Sequence, residues 1–247
     1  MHDTFLSRAA KHLISVDARF KQLLEKNHCH IFSPEGLKEG VDPYKALVCG
    51  ILSQQVSGAA ARSITRKFIL LFTDPADEEG NAPPAFFPTP QQVLTKAPEI
   101  LRTAGLSGRK VEYVLDLSAR FVDGRLKAED MIHESDETII EKLVEVRGIG
   151  RWSMPRIMNS LISGAEMFLM FALKRPDVLS TGDLGIQRGM AVWTGKNIAK
   201  AKGNTSKWKY MAEKEMIEEA EKWKPYRSLG SWCMWRVEGQ SSAPIAP

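Results

Sequence analysis

Cysteine is scarce. Three thiols in 247 residues, Cys29, Cys49 and Cys233, are too few and too scattered for a disulfide framework, and they cannot supply the four thiolates of an iron–sulfur cluster. The count fits a reducing compartment. Apolar runs long enough to cross a bilayer are missing, as is the opening of a signal peptide, so a soluble, intracellular chain without a membrane partner is expected. Neither sign of charge is in large excess: 34 Lys and Arg against 30 Asp and Glu leave +4, a balance that admits a nucleic-acid partner without arguing for one. Strand patterns are lacking beyond a short pair before Pro43. His28-Cys29-His30 has no second ligand cluster elsewhere to complete a metal site. What remains is apolar material, 43% of the chain, set mostly at helical spacing, and the fold class read from it is all-α.

Residues 3–26 carry one amphipathic pattern (Leu6, Ala9, Leu13, Val16, Phe20, Leu23, Leu24) and read as a helix. Asp42-Pro43 opens another, Tyr44 to Leu52, which a polar turn, Ser53-Gln54-Gln55-Val56-Ser57-Gly58, separates from a helix over Ala59 to Phe72. Asp74 to Pro90, acidic and then proline-rich, reads as an exposed loop. Thr89-Pro90 and Ala97-Pro98 each begin a helix. Gly105 to Lys110 forms a turn, and Lys110 opens the helical run Val111 to Phe121, which Asp123-Gly124 stops. The next helical approach (Ile139, Ile140, Leu143, Val144) runs into Gly148-Ile149-Gly150, where paired glycines permit a turn too tight for side chains. A helix starting there presents free amides and a positive dipole end, a site for a phosphate.

The carboxylate that follows sharpens this. Asp183 lies in Ser180-Thr181-Gly182-Asp183-Leu184-Gly185, at the start of a helix through Ile186 and Met190; an N-cap is its commonest use, and a catalytic role is compatible with capping. Lys196 to Tyr210 is basic and reads as a solvated loop, with a phosphate contact as the minority reading. Met211 to Trp223 is helical again. Trp232 and Trp235, three apart, share one face of a last helix, where aromatic residues are usually core.

Five motifs carry a family resemblance: Ser53-Gln54-Gln55-Val56-Ser57; Gly105-Leu106-Ser107 with Lys110; Arg147-Gly148-Ile149-Gly150-Arg151-Trp152-Ser153; Arg175-Pro176-Asp177-Val178 with Gly182-Asp183-Leu184-Gly185; and Trp223-Lys224-Pro225-Tyr226-Arg227-Ser228. Their order and their span, Pro43 to Arg236, resemble the helix-hairpin-helix DNA glycosylases, and within them the eukaryotic 3-methyladenine (alkylpurine) glycosylases. The resemblance implies one glycosylase domain of two helical subdomains flanking a DNA-binding cleft, with its core over residues 43–236 and a tail from 237. It implies removal of alkylated purines such as 3-methyladenine and 7-methylguanine in base-excision repair, a partner in double-stranded DNA, a monomer, and a nuclear location.

It also assigns roles. Asp183 is the catalytic carboxylate, and Trp152, Met167 and Trp235 wall the base pocket. Gln54, Gln55, Val56 and Ser57 enter the minor groove, with Gln55 the first choice for the wedge that fills the space of the extruded base. Gly148, Ile149, Gly150 and Arg151 bind the backbone. Carbonyls of Val144, Val146 and Ile149 match positions that hold a structural Na+ or K+ in relatives; no cofactor is needed for catalysis. Superfamily members that also cut the strand carry a lysine where this chain has Trp152, so a monofunctional enzyme is expected.

One departure stands out. Met154 to Gly164 intervenes between Ser153 and Ala165, which the family pattern joins directly, and Pro155 disfavours a continuous helix through it. The segment is expected to bulge out, leaving Ala165 to Leu173 in the family's place. In either case the segment interrupts the pocket wall from Trp152 to Met167, and a catalytically impaired or non-catalytic damaged-DNA-binding protein of the same fold is the alternative.

Overall fold

The computed structural model describes residues 4–73, 86–147, 164–196 and 210–239, and the regular structure among these described residues is helical throughout. They belong to two compact units, Val41–Trp152, and Met1–Gly40 with Ser153–Pro247.

The second of these opens with α1 (Phe5–Val16) and α2 (Arg19–Lys26), two helices where one was expected. The cause is Asp17. Its carboxylate accepts from the Arg19 backbone amide and pairs with the Arg19 guanidinium, a local alternative to continuing the helix. Leu13, Phe20 and Leu23 are buried across the break, so the apolar pattern runs through it unaltered. Nor is there a strand pair before Pro43: a 3-10 turn, His30–Phe32, leads into α3 (Pro34–Lys38), whose cap Ser33 accepts from Gly36. Cys29 is buried, which removes it from any surface metal site, and His30 pairs with Glu39.

The unit Val41–Trp152 comprises α4 (Pro43–Ser53), α5 (Gly58–Leu70), α6 (Pro90–Leu94), α7 (Pro98–Thr103), α8 (Gly108–Val122), α9 (Ala128–His133) and α10 (Asp136–Val144). Asp42, Ser57, Thr89, Ser107 and Ser135 each cap the helix that follows by accepting from an amide three residues on. Each such cap contributes about 1 kcal/mol. Because Ser107 is a cap, α8 begins at Gly108, two residues before the sequence reading placed it. Its core includes Leu47, Ile51, Phe68, Leu101, Val114, Leu117 and Ile139, all buried. The expected exposed loop ends early: Pro88 is buried and Phe87 packs against Tyr44 and Phe68, while residues 74–85 lie outside the described residues.

The remaining chain completes the other unit. Residues 164–167 make one helical turn that widens into a π-helix, Phe168–Ala172. Then come α11 (Leu184–Trp193), α12 (Glu213–Glu221) and α13 (Arg227–Gly239). Helix α13 extends past the expected start of a tail at 237, because Val237 is buried. α11 and α13 pack closely. Gly189 makes this possible, since a Cβ there would sit 2.1 Å from the Met234 carbonyl oxygen. Phe20, Trp193 and Trp223 form an aromatic core beside them, and Arg19 lies 4.0 Å over the Trp193 ring.

Candidate active site

Asp183 sits in extended backbone at the start of α11 and caps it, its Oδ1 accepting from the Ile186 amide at 2.8 Å. The same oxygen accepts from the indole Nε1 of Trp235 on α13, also at 2.8 Å. Among the described residues both bonds fall on Oδ1. Gly185 is what lets the indole in. A Cβ there would lie 2.5 Å from Trp235 Cδ1, 2.7 Å from its Nε1 and 3.1 Å from Asp183 Oδ1, so a side chain at this position would displace one partner or the other. The far face of the indole stacks on Phe171 of the π-helix, centroids 5.1 Å apart and planes 19° apart. Trp235 is therefore fixed by a donor bond on its edge and a ring on its face. π-Helical turns recur at functional sites, and Phe171 belongs to this one.

The loop carrying Asp183 is stapled to α13 by two of the sequence motifs. Asp177 takes the Arg227 guanidinium through both carboxylate oxygens, at 2.8 and 3.0 Å, and Arg227 also reaches the Asp177 carbonyl. The Ser228 hydroxyl donates to the Arg175 carbonyl and accepts from the Val178 amide, while the Ser228 amide donates to Pro176. Bidentate Arg–carboxylate pairs and buried side-chain-to-backbone bonds hold geometry tightly. From within α11, Gln187 donates to the Thr181 carbonyl at 2.9 Å. Together these bonds join Arg175 to Val178 with Arg227 and Ser228 and hold the loop that carries Asp183 against α13.

A second carboxyl stands behind it. Glu166 is hydrogen-bonded to the buried Ser180, has one oxygen buried without a partner, and is pushed up to about 7 by burial, with Glu213 and Asp183 adding to the rise. A carboxyl that keeps its proton near neutrality avoids placing another negative charge in the cluster. Sequence reasoning missed Phe171, Glu166 and Gln187, which no motif distinguishes from ordinary helix residues, and gave Ser180 no role beyond its place in the Asp183 stretch.

In the other unit, Gln54 ends α4, Gln55 adopts a left-handed conformation (φ 56), and Ser57 caps α5. A left-handed glutamine is uncommon, and here it turns the chain so that Gln55 and Val56 are exposed at the tip between two helices. Farther on, Asp116 and Arg120 of α8 hold the residues that precede Gly148: Asp116 accepts from the Arg147 amide at 2.9 Å, and Arg120 donates to the Glu145 carbonyl at 2.7 Å. The structure thus joins Asp183 with Trp235 and presents Gln55 with Val56 and Ser57. Met167 is half-buried, four residues before Phe171. Gly148, Ile149, Gly150, Arg151 and Trp152, residues 154–163 of the interrupting segment, and residues 197–209 of the basic stretch lie outside the described residues.

The family model described as HhH-GPD superfamily base excision DNA repair protein matches residues 48–216, a span that contains both Gln55 and Asp183. The chain belongs to the HhH-GPD superfamily. Among relatives, it is 30% identical to the DNA-3-methyladenine glycosylase of Saccharomyces cerevisiae over 96% of this chain and 81% of that one. DNA-3-methyladenine glycosylase 1 of Schizosaccharomyces pombe is 25% identical over 99% of this chain and 93% of its own. The solved structure of the S. pombe 3-methyladenine DNA glycosylase in complex with abasic DNA shares the HhH-GPD fold, with a TM-score of 0.69 at 24% identity, covering 97% of this chain and 99% of the other. The family and the all-α class expected from the motifs are therefore those found.

Proposed function

We propose that this HhH-GPD protein is a monofunctional DNA glycosylase that removes alkylated purines, 3-methyladenine and 7-methylguanine in kind, from double-stranded nuclear DNA, leaving an abasic site. The Asp183–Trp235 pair carries the reading: a carboxylate with one oxygen locked by two donors, beside an aromatic face. A purine alkylated at N3 or N7 is cationic, and an indole attracts such a ring by about 0.5 to 2 kcal/mol. The extruded nucleotide then loses its base. The N-glycosidic electron pair moves onto the departing purine and neutralises it, so no acid is required, and the positive charge passes to the sugar. Asp183 Oδ2 stabilises that charge, and a water adds to C1′ and gives up its proton.

Gln55 serves as the wedge, with Gln54, Val56 and Ser57 beside it, and the Gly148–Gly150 turn with Arg151 binds phosphate. Trp152 and Met167 are the further base-contacting residues that the family motifs assign. With Trp152 in place of a lysine no Schiff base forms at that position. No cofactor enters the step. Val144 closes α10, so its carbonyl and that of Val146 fall beyond the last helical bond, as a structural Na+ or K+ held with Ile149 would need. The non-catalytic alternative is not favoured: Asp183 and Trp235 keep their bond despite the interruption, and the two yeast relatives are named as glycosylases.

The test is base release from methylated duplex DNA. Free 3-methyladenine and 7-methylguanine should appear, and the strand should break only after alkali. Absence of release would overturn the activity; breakage without alkali would overturn the monofunctional assignment.

A further inference from the structure

Helix α4 delivers the loop that carries Gln55, and two polar rungs tie it to α8. At its start the Tyr44 hydroxyl bonds the Ser118 hydroxyl at 2.7 Å, and Ser118 in turn donates to the Val114 carbonyl of its own helix. At its end the Lys110 ammonium donates to the Leu52 carbonyl at 2.7 Å. Eight residues separate the rungs on each helix, Tyr44 to Leu52 and Ser118 to Lys110, so the helices run antiparallel in fixed register over about 12 Å. Leu52 lies in the last turn of α4, where carbonyls have no partner within the helix and the dipole favours a cation. The next residues are Ser53, Gln54 and the left-handed Gln55. Burial holds the Lys110 ammonium below its ordinary value, so this bond is made by a charge partly withdrawn from water.

We propose that Lys110 is a positioning residue for base extrusion: from α8 it locks the last turn of α4 and thereby fixes the loop that presents Gln55. The inference rests on the reading of Gln55 as the wedge. A tip residue that must enter a base stack has to resist being pushed back along its own helix, and the Leu52 carbonyl, three residues before the tip, is held by Lys110 of another helix. Loss of the donor leaves the loop in place but unbraced, so the defect appears where a paired base must be displaced and not where the space is already open.

The full chain is compared as Lys110→Met, which keeps the apolar stem, Lys110→Arg, which keeps a charged donor, and Gln55→Ala. Lys110→Met is expected to raise amide hydrogen exchange across residues 53–57 and to slow single-turnover release from a base-paired methylated duplex by about tenfold. Affinity for a duplex containing a tetrahydrofuran abasic analogue should stay within about threefold, because backbone contacts position the duplex without the extrusion step. Lys110→Arg should recover most of the rate. Combining Lys110→Met with Gln55→Ala should cost no more than Gln55→Ala alone, since both act through one side chain. Unchanged exchange across 53–57 in Lys110→Met overturns the brace, as does an equal loss on the paired and abasic duplexes. Faster exchange with a normal rate in both Lys110→Met and Gln55→Ala instead sinks the wedge reading, and with it the role in extrusion.

Discussion

Gly185→Ala places one methyl group between the two partners of the central hydrogen bond. The added carbon would lie 2.5 Å from Trp235 Cδ1, and an unstrained carbon contact needs about 3.5 Å or more, so the ring or the helix end must move by about 1 Å. Phe171 stacks on the indole and limits its retreat. A displacement of that size takes the 2.8 Å Trp235–Asp183 bond out of hydrogen-bonding range. Losing a bond to a charged acceptor costs about 1.5–3 kcal/mol, and overpacking adds roughly 1 more, against a gain of at most about 1 from replacing Gly by Ala in a helix. The net is about 1.5–3 kcal/mol. For a chain of this size that lowers Tm by roughly 3–12 °C. The effect on chemistry should be larger than the effect on folding, because a misaimed carboxylate of this kind costs about 100-fold in rate. Thermal denaturation and single-turnover base release, both at a temperature where the variant is fully folded, separate the two. Trp235→Phe should slow release comparably without the clash, and adding Gly185→Ala to it should cost little more. A Gly185→Ala protein that releases base at the wild-type rate would refute the claim that this bond aims Asp183.

Glu166→Gln tests the buried carboxyl. Its folded value of about 7 lies above the ordinary 4.5, so the folded protein holds a proton that the unfolded chain gives up first; the contribution is full below about pH 4.5 and is lost as pH rises through 7, by about 3 kcal/mol. The variant's Tm should therefore fall less than wild type's between pH 5 and 7.5, and parallel curves would contradict the assignment. Deleting residues 154–164 should raise both Tm and base release by rejoining Trp152 to the helix that leads to Phe171; a less stable and no more active product would make the segment a true structural element.

The helices at Asp42-Pro43 and Thr89-Pro90 were legible because their signals are local, a cap and a proline within four residues of the start, whereas the Ser107 cap is obscured by the glycines on either side of it. Ser33-Pro34 carries the same signal, and where a short strand pair was expected before Pro43 the chain forms a 3-10 turn and α3. The break at Asp17 was hidden for a different reason: two helices burying one shared face keep an unbroken apolar period, and only the Asp17–Arg19 bonds betray the turn. At the site, Asp183 and Trp235 could be named from motifs, but their mutual bond joins residues 52 apart and depends on a missing Cβ at Gly185. Spacing along the chain holds no record of such a contact. Phe171 and Glu166 escaped for the same reason, since an aromatic and an acid on a helix acquire meaning only from what packs against them. The Arg175–Val178 and Tyr226–Ser228 motifs were seen separately; the structure shows them to be two sides of one staple.

The central claim is that Asp183 acts as a charge and not only as a cap, and Asp183→Asn tests it most directly. An asparagine can keep its side-chain oxygen where Oδ1 now accepts from Ile186 and Trp235, so the cap, the indole and the fold should survive, with Tm within a few degrees of wild type. Binding to a duplex with an abasic analogue should be nearly unchanged. Release of 3-methyladenine and 7-methylguanine from methylated duplex DNA should be abolished. Release at the wild-type rate from a folded Asp183→Asn protein would reduce Asp183 to a helix cap and contradict the mechanism.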